Sequence, residues 1–203
     1  MARGGGAATP AVAAIVLAAG ASTRMGRNKL LLEIEGETLV RRAVRAAGGA
    51  GLDRVVVVLG HDEAAVRAQL DGLPCETVVN PDHARGAGTS VHAGVRHVDA
   101  DADAAVIVLA DMPLVTAAMI AALVERYRAT RAPVVFSRYG DVQAPPTLYD
   151  RSLFPELLAL DDDRGGKQVV LRHRGEAEAV TWPESALHDV DSPADYDRIA
   201  KPR

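Results

Sequence analysis

The chain has 203 residues, 48% of them hydrophobic but only 3% aromatic, and a formal net charge of −4 at neutral pH. That length suits one domain with a core of Ala, Val, Leu and Ile, and the acidic balance excludes a general attraction to nucleic acid or to an anionic membrane. A single cysteine, Cys75, excludes an internal disulfide and leaves a cytoplasmic setting unopposed.

Residues Met1–Pro10 read as a flexible Gly/Ala leader, with one domain over residues 11–203. Arg3 and the apolar run Ala11–Ala19 imitate a secretory signal. Cleavage near Gly20 would strip the following loop of its strand, and the run is too short to span a membrane. Val12–Leu17 reads as a buried strand that ends in a small-residue turn, Ala18–Ser22, followed by Arg24, Gly26 and Lys29. A helix over Thr38–Ala47 carries Leu39, Val40, Ala43 and Val44 on one face, and Gly48, Gly49 and Gly51 stop it. Arg54–Leu59 is a valine run suited to a strand covered on both faces. A short helix over Glu63–Leu70 and a strand over Cys75–Val79 follow, broken by Asn80-Pro81. Cys75, after Pro74, reads as a small buried hydrophobe. Thr89–Val98 is helical, capped by Thr89 or Ser90. Ala104–Leu109 is a strand ending in Asp111-Met112-Pro113, and Thr116 caps a helix reaching about Tyr127. Pro133–Ser137 is a further strand.

Strands alternating with helices imply a largely parallel α/β sheet, which binds ligands beyond the carboxyl ends of its strands. The loop around Gly20, the stretch Asn80–Ser90 and Asp111 therefore converge on one edge. A turn of small residues with two following cations suits a triphosphate, although Ala-Ala-Gly can also be a plain strand-to-helix turn. No G-x-x-x-x-G-K-[ST] is present, and no G-x-G-x-x-G opens a helix after the first strand. Asp111 suits Mg²⁺ or a turn. Gly86 suits a turn, and Ser90 a cap. Asp189 and Asp191 alternate across a segment that precedes a helix opened by Pro193; capping accounts for some of that acidity, though not for the alternation. The five histidines other than His83 show no zinc spacing with Cys75.

The string Leu17-Ala18-Ala19-Gly20, Ser22, Arg24-Met25-Gly26 and Lys29 resembles the signature L-A-A-G-x-S-x-R-M-G-x-x-K. That signature belongs to the molybdenum cofactor nucleotidyltransferases, the MobA-like NTP transferases, and Ala-Ala-Gly with the Leu30–Leu32 triplet is most similar to their cytidylyltransferase branch. Asp111 matches the metal-binding Asp of the D-x-P segment. Asp191 matches the second metal ligand of D-x-D-T-P-E-D, with Ser192 and Ala194 replacing Thr and Glu, and Asp189 stands one step outside the ion. Asn80–Ser90 resembles the base-binding stretch, with His83 for the usual aromatic and Ala87 for Met. Leu153–Leu160 and Asp163–Lys167 resemble the half that faces the pterin. Departures there are Asp162 for Gly and Ala144-Pro145-Pro146 for a His-Pro pair.

The resemblance implies a three-layer Rossmann-like, GT-A-like nucleotidyltransferase fold with a mostly parallel sheet. It implies transfer of CMP from CTP to molybdopterin with release of pyrophosphate, or transfer from CTP or GTP to another phosphorylated acceptor such as a sugar or polyol. The remaining alternatives are non-catalytic carriage of molybdopterin and an oxidoreductase related to this family. Nucleotide contacts fall on Leu17, Ala18, Ala19, Gly20, Arg24, Lys29, Asn80, Gly86, Ser90 and Asp111. Catalytic roles fall on Arg24, Lys29 and Asp111, and Mg²⁺ on Asp111 and Asp191. The expected partners are the nucleotide, the pterin acceptor and a receiving molybdoenzyme or its chaperone, with no nucleic acid and no membrane.

Overall fold

The computed structural model describes residues 9–22, 25–161 and 165–200. In chain order the strands are β1 (Val12–Ala18), β2 (Glu33–Ile34), β3 (Glu37–Thr38), β4 (Arg54–Leu59), β5 (Glu76–Val79), β6 (Ala104–Leu109), β7 (Val134–Tyr139), β8 (Val142–Asp150) and β9 (Glu178–Trp182). The helices are α1 (Leu39–Gly48), α2 (Glu63–Ala68), α3 (Ala87–Val98), α4 (Ala117–Thr130), α5 (Phe154–Leu158), α6 (Lys167–Arg172) and α7 (Pro193–Ala200).

Seven strands form one sheet in the order β5-β4-β1-β6-β8-β7-β9, with β2 and β3 as a separate hairpin. Every pairing in the large sheet is parallel except those of β8 with β6 and β7. The alternation of side chains splits the core in two. Val12, Ala14 and Val16 of β1, with Val55, Val57 and Leu59 of β4, face α1 and α4. Ala13 and Ile15, with Val56 and Val58, face α3, α5 and α6. Helices on both faces of a mostly parallel sheet make the three-layer Rossmann-like arrangement expected from the sequence. Gly94 lets α3 lie close on this sheet, since a Cβ there would run into Ile15 and stand 3.1 Å from Val58 Cγ2.

Several local expectations are corrected. Helix α3 begins two residues earlier than expected, at Ala87, and neither Thr89 nor Ser90 caps it; Gly86 holds that position at φ 131°, a conformation that favours glycine. Thr116 does cap α4, accepting from the Met119 N–H at 3.3 Å. Strands β8 and β9, helix α6 and the β2–β3 hairpin were not foreseen. Pro145 and Pro146 are tolerated in β8 because the register jumps there: Phe136 pairs with Thr147, and Ser137 with Ala144. Neither proline is asked for a ladder N–H. Cys75 is half-buried, and that burial pushes its thiol up.

Candidate functional site

The parallel strands deliver their carboxyl ends to one edge, where Ala18 of β1 is level with Leu59 of β4, and Leu17 with Leu109 of β6. The first loop leaves β1 at Ala19, whose carbonyl accepts the His61 N–H at 3.1 Å. Gly20 faces open space, with no atom within 4 Å of where a Cβ would stand. Ser22 closes the loop: its hydroxyl accepts the Lys29 backbone N–H at 3.1 Å, and its carbonyl accepts that of Met25 at 2.9 Å. Asn28 then caps the short 3-10 turn Lys29–Leu31, accepting from Leu30 at 3.0 Å. The backbone of Lys29 is thereby fixed under the sheet edge.

The last segment comes back to the same place. The Val190 N–H donates to the Asp111 carbonyl at 3.0 Å, and the Val190 side chain is buried among Met25, Leu32, Ile34 and Leu39. Asp195 accepts from the Ser192 N–H at 2.9 Å and from its hydroxyl at 2.7 Å, a reciprocal cap that starts α7 just past Asp191. Asp111 and Asp191, 80 positions apart in the sequence, meet as a result. Lys29 Nζ lies 2.5 Å from Asp111 Oδ2 and 2.8 Å from Asp191 Oδ1.

Burial works against the charge on Lys29, whose side chain is 13% exposed, but Asp111 and then Asp191 outweigh it and hold the ammonium pKa above its ordinary value. Asp189 reaches solvent along one side. The protein on its other side desolvates it, and with the charges of Asp111 and Asp191 this pushes its carboxyl up to about 6; Lys29 and His188 pull the other way. The donors at this point are carboxylate oxygens, which suit a hard divalent cation. Among the described residues no three His, Cys, Asp or Glu side chains gather as a ready cage. The remaining ligands would be phosphate oxygens and water, as Mg²⁺ usually takes them.

A cleft of about 410 Å³ opens over the first loop, and Leu17, Ala19, Gly20, Lys29, Gly86, Ser90 and Asp111 all line it. Two of the expected contact residues do not. Ala18 is buried in the core. Asn80, 3% exposed, lies behind the cleft, where its amide donates to Thr89 Oγ1 at 2.8 Å and Ser90 Oγ at 3.0 Å. Arg24 lies outside the described residues, as do most of the expected leader and Asp162–Arg164. A neighbouring cleft of about 190 Å³ shares Ala87 and Leu109 and continues toward Gln143, Pro145, Tyr149 and Lys167. A larger cavity of about 620 Å³, beside Val79, Arg96 and Leu160, contains none of Lys29, Asp111 or Asp191. Chemistry rather than volume selects the cleft over the first loop.

Two contributors escaped the sequence reading. Gly60, directly after β4, lets Ala19 and His83 close in, since a Cβ there would stand 2.7 Å from each of their Cβ atoms. Ser22 was visible in the motif but carried no role of its own. A glycine directly after a buried parallel strand is the signal for Gly60; for Ser22 the signal is its place in the motif.

The MobA-like NTP transferase domain model matches residues 14–178. The purine catabolism protein PucB of Bacillus subtilis is 31% identical over 205 residues, covering 95% of this chain and 98% of its own. The nicotine blue oxidoreductase of Paenarthrobacter nicotinovorans is 32% identical over 176 residues, covering 81% and 83%. The crystal structure of Rv0371c from Mycobacterium tuberculosis superposes with a TM-score of 0.85 at 30% identity, over 95% of this chain and 98% of that one. Its manganese complex superposes at 0.81 and 27% identity, over 95% and 100%. Sequence and fold agree: the chain belongs to the MobA-like NTP transferase family, a family of nucleotidyltransferases.

Proposed function

We propose that the chain transfers CMP from CTP to molybdopterin carrying molybdenum. A phosphate oxygen of the acceptor attacks the α-phosphorus of CTP; the bond to the β-phosphate oxygen breaks, and pyrophosphate leaves. A phosphate dianion is already present near neutral pH, so no protein nucleophile or general base is needed. The observation that carries this reading is the meeting of Lys29, Asp111 and Asp191 over the first loop.

Asp111 and Asp191 would hold the divalent ion, Mg²⁺ in this reading; the manganese complex of Rv0371c supports a divalent metal in the family. When bound, such an ion neutralises phosphate charge and orients the α-phosphate. The chain's own groups do the rest. Backbone amides of Ala19–Ala21, with Arg24 and Lys29, hold the β- and γ-phosphates and stabilise the charge that develops on the departing pyrophosphate. Asn80 acts through Ser90, fixing a hydroxyl on the cleft wall beside Gly86, where the base would lie. The cleft toward Gln143, Tyr149 and Lys167 receives the acceptor. In this reading the reaction takes place in the cytoplasm, with a molybdoenzyme or its chaperone receiving the product.

One observation favours a second reading. Pro145, from the stretch that departs from the family's His-Pro pair, lines the acceptor cleft, which fits a different phosphorylated acceptor such as a sugar or polyol. Carriage of molybdopterin without reaction would not need a lysine between two carboxylates. Purified protein is incubated with labelled CTP, Mg²⁺ and molybdopterin, and pyrophosphate is followed, with GTP, UTP and ATP in parallel. The proposal expects pyrophosphate from CTP only when the pterin is present. Release that depends on another acceptor supports the second reading, and no release with any nucleotide refutes transfer.

A further inference from the structure

The two carboxylates assigned to the divalent ion are already bridged by a cation, and that cation belongs to the chain. Lys29 Nζ contacts Asp111 Oδ2 at 2.5 Å and Asp191 Oδ1 at 2.8 Å. A divalent ion such as Mg²⁺ draws on the same two carboxylates, with oxygens at about 2.0–2.1 Å. An ammonium seated there takes up one oxygen of each carboxylate and repels a divalent ion from the pair, so the two cations compete for it. The backbone of Lys29 is held by Ser22 and by the turn that Asn28 caps, so any change of partner falls to its flexible four-carbon stem. The space available to that tip is the cleft over Gly20 and Ser90, which Lys29 itself lines. A triphosphate lying there offers the ammonium more negative charge than the two carboxylates do.

We infer that Lys29 is a displaceable internal cation: it closes the carboxylate pair until a nucleoside triphosphate draws its ammonium into the cleft, so that ion and nucleotide enter together. This rests on the reading of Asp111 and Asp191 as ion ligands, and adds to it an order of events. Triphosphate binding releases the pair and raises the chain's affinity for the ion. By linkage, the ion raises affinity for the triphosphate by the same factor. Without the triphosphate the divalent ion is a poor ligand, because it competes with a salt-bridged lysine.

The test is a Mn²⁺ titration followed by the electron paramagnetic resonance signal of the free ion, without nucleotide and then with CTP, corrected for the ion's affinity for CTP itself. Wild type is compared with Lys29→Met, Lys29→Gln, Lys29→Arg and Asp111→Asn, each checked for a wild-type thermal melt. Two neutral variants are used so that a misfolded one does not decide the outcome. Without nucleotide, the neutral variants should bind Mn²⁺ at least tenfold more tightly than wild type, about 1.4 kcal/mol, and Lys29→Arg should stay near wild type. CTP should tighten Mn²⁺ binding in wild type far more than in the neutral variants. Equal affinities for wild type and neutral variants without nucleotide, with Asp111-dependent binding intact, would overturn the displaceable cation and leave the ion site standing. Mn²⁺ binding that ignores Asp111→Asn in every state would overturn both.

Discussion

Replacing Asn80 by alanine removes three hydrogen bonds of a buried amide at one stroke. The side chain donates to Thr89 Oγ1 at 2.8 Å and Ser90 Oγ at 3.0 Å, and accepts the Asp82 N–H at 3.0 Å. At about 1 kcal/mol each, the loss is about 3 kcal/mol, a large part of the about 5–15 kcal/mol that holds a domain folded. For a chain of this size that corresponds to a fall of about 6–12 °C in Tm, with an unchanged urea m value. The Ser90 hydroxyl loses its anchor on the cleft wall, so nucleotide affinity should drop as well, by about tenfold if one hydrogen bond to the base edge is lost. Asn80→Asp separates the contributions: it keeps the acceptor for Asp82 but loses both donors, and it places a negative charge behind a triphosphate site. Calorimetry and urea unfolding measure the first effect, equilibrium CTP binding the second. A Tm for Asn80→Ala within about 2 °C of wild type, with unchanged CTP affinity, would refute the claim that this amide organises the loop.

Asp111→Ala should fold normally by circular dichroism yet lose turnover on the order of a hundredfold or more in the pyrophosphate assay. Gly60→Ala places a Cβ against Ala19 and His83; it should cost about 1–3 kcal/mol in urea unfolding and weaken CTP binding, because the first loop must shift. Glu76, which meets His97 at the end of α3 far from the cleft, is held at about 2 by its hydrogen bond from Arg54 and by His97. Because the folded value lies below the unfolded one, about 4.3, its stabilisation is present above that pH and is lost as pH falls toward 2. Both partners reach solvent, so Glu76→Gln should cost less than about 1 kcal/mol at pH 7. Stability curves of variant and wild type should converge near pH 2; a constant offset down to that pH would contradict the ion-pair account.

The sequence revealed most where burial dominates. Val12–Ala18, Arg54–Leu59 and Ala104–Leu109 are covered on both faces, and apolar runs of that kind leave little choice but a central strand. The first-loop string carried the family because phosphate binding constrains consecutive residues, and Asp111 was legible because it lies two residues past such a strand. Legibility failed where long-range pairing decides. Strand β8 contains Pro145 and Pro146 and survives only through a register jump against β7 that no local pattern announces. Strand β9 carries the weak sequence Glu-Ala-Val-Thr-Trp at the sheet edge. Asn80 and Gly86 were both marked from the motif. Only the fold distinguishes them: Gly86 lines the cleft, whereas Asn80 stands behind it and bonds the residues that do. The contact of Lys29 with two carboxylates was invisible in sequence, since it depends on Val190 docking the last segment against the end of β6.

The central claim is that Asp111 and Asp191 form one divalent-ion site beside a nucleotide held over the first loop. Its most direct measurement is the anomalous difference map of crystals grown with Mn²⁺ and CTP. The account predicts a single strong peak touching both carboxylates and the triphosphate, with Lys29 swung onto phosphate. A peak bound elsewhere, or a triphosphate lying away from Gly20 while Lys29 stays between the aspartates, would contradict it.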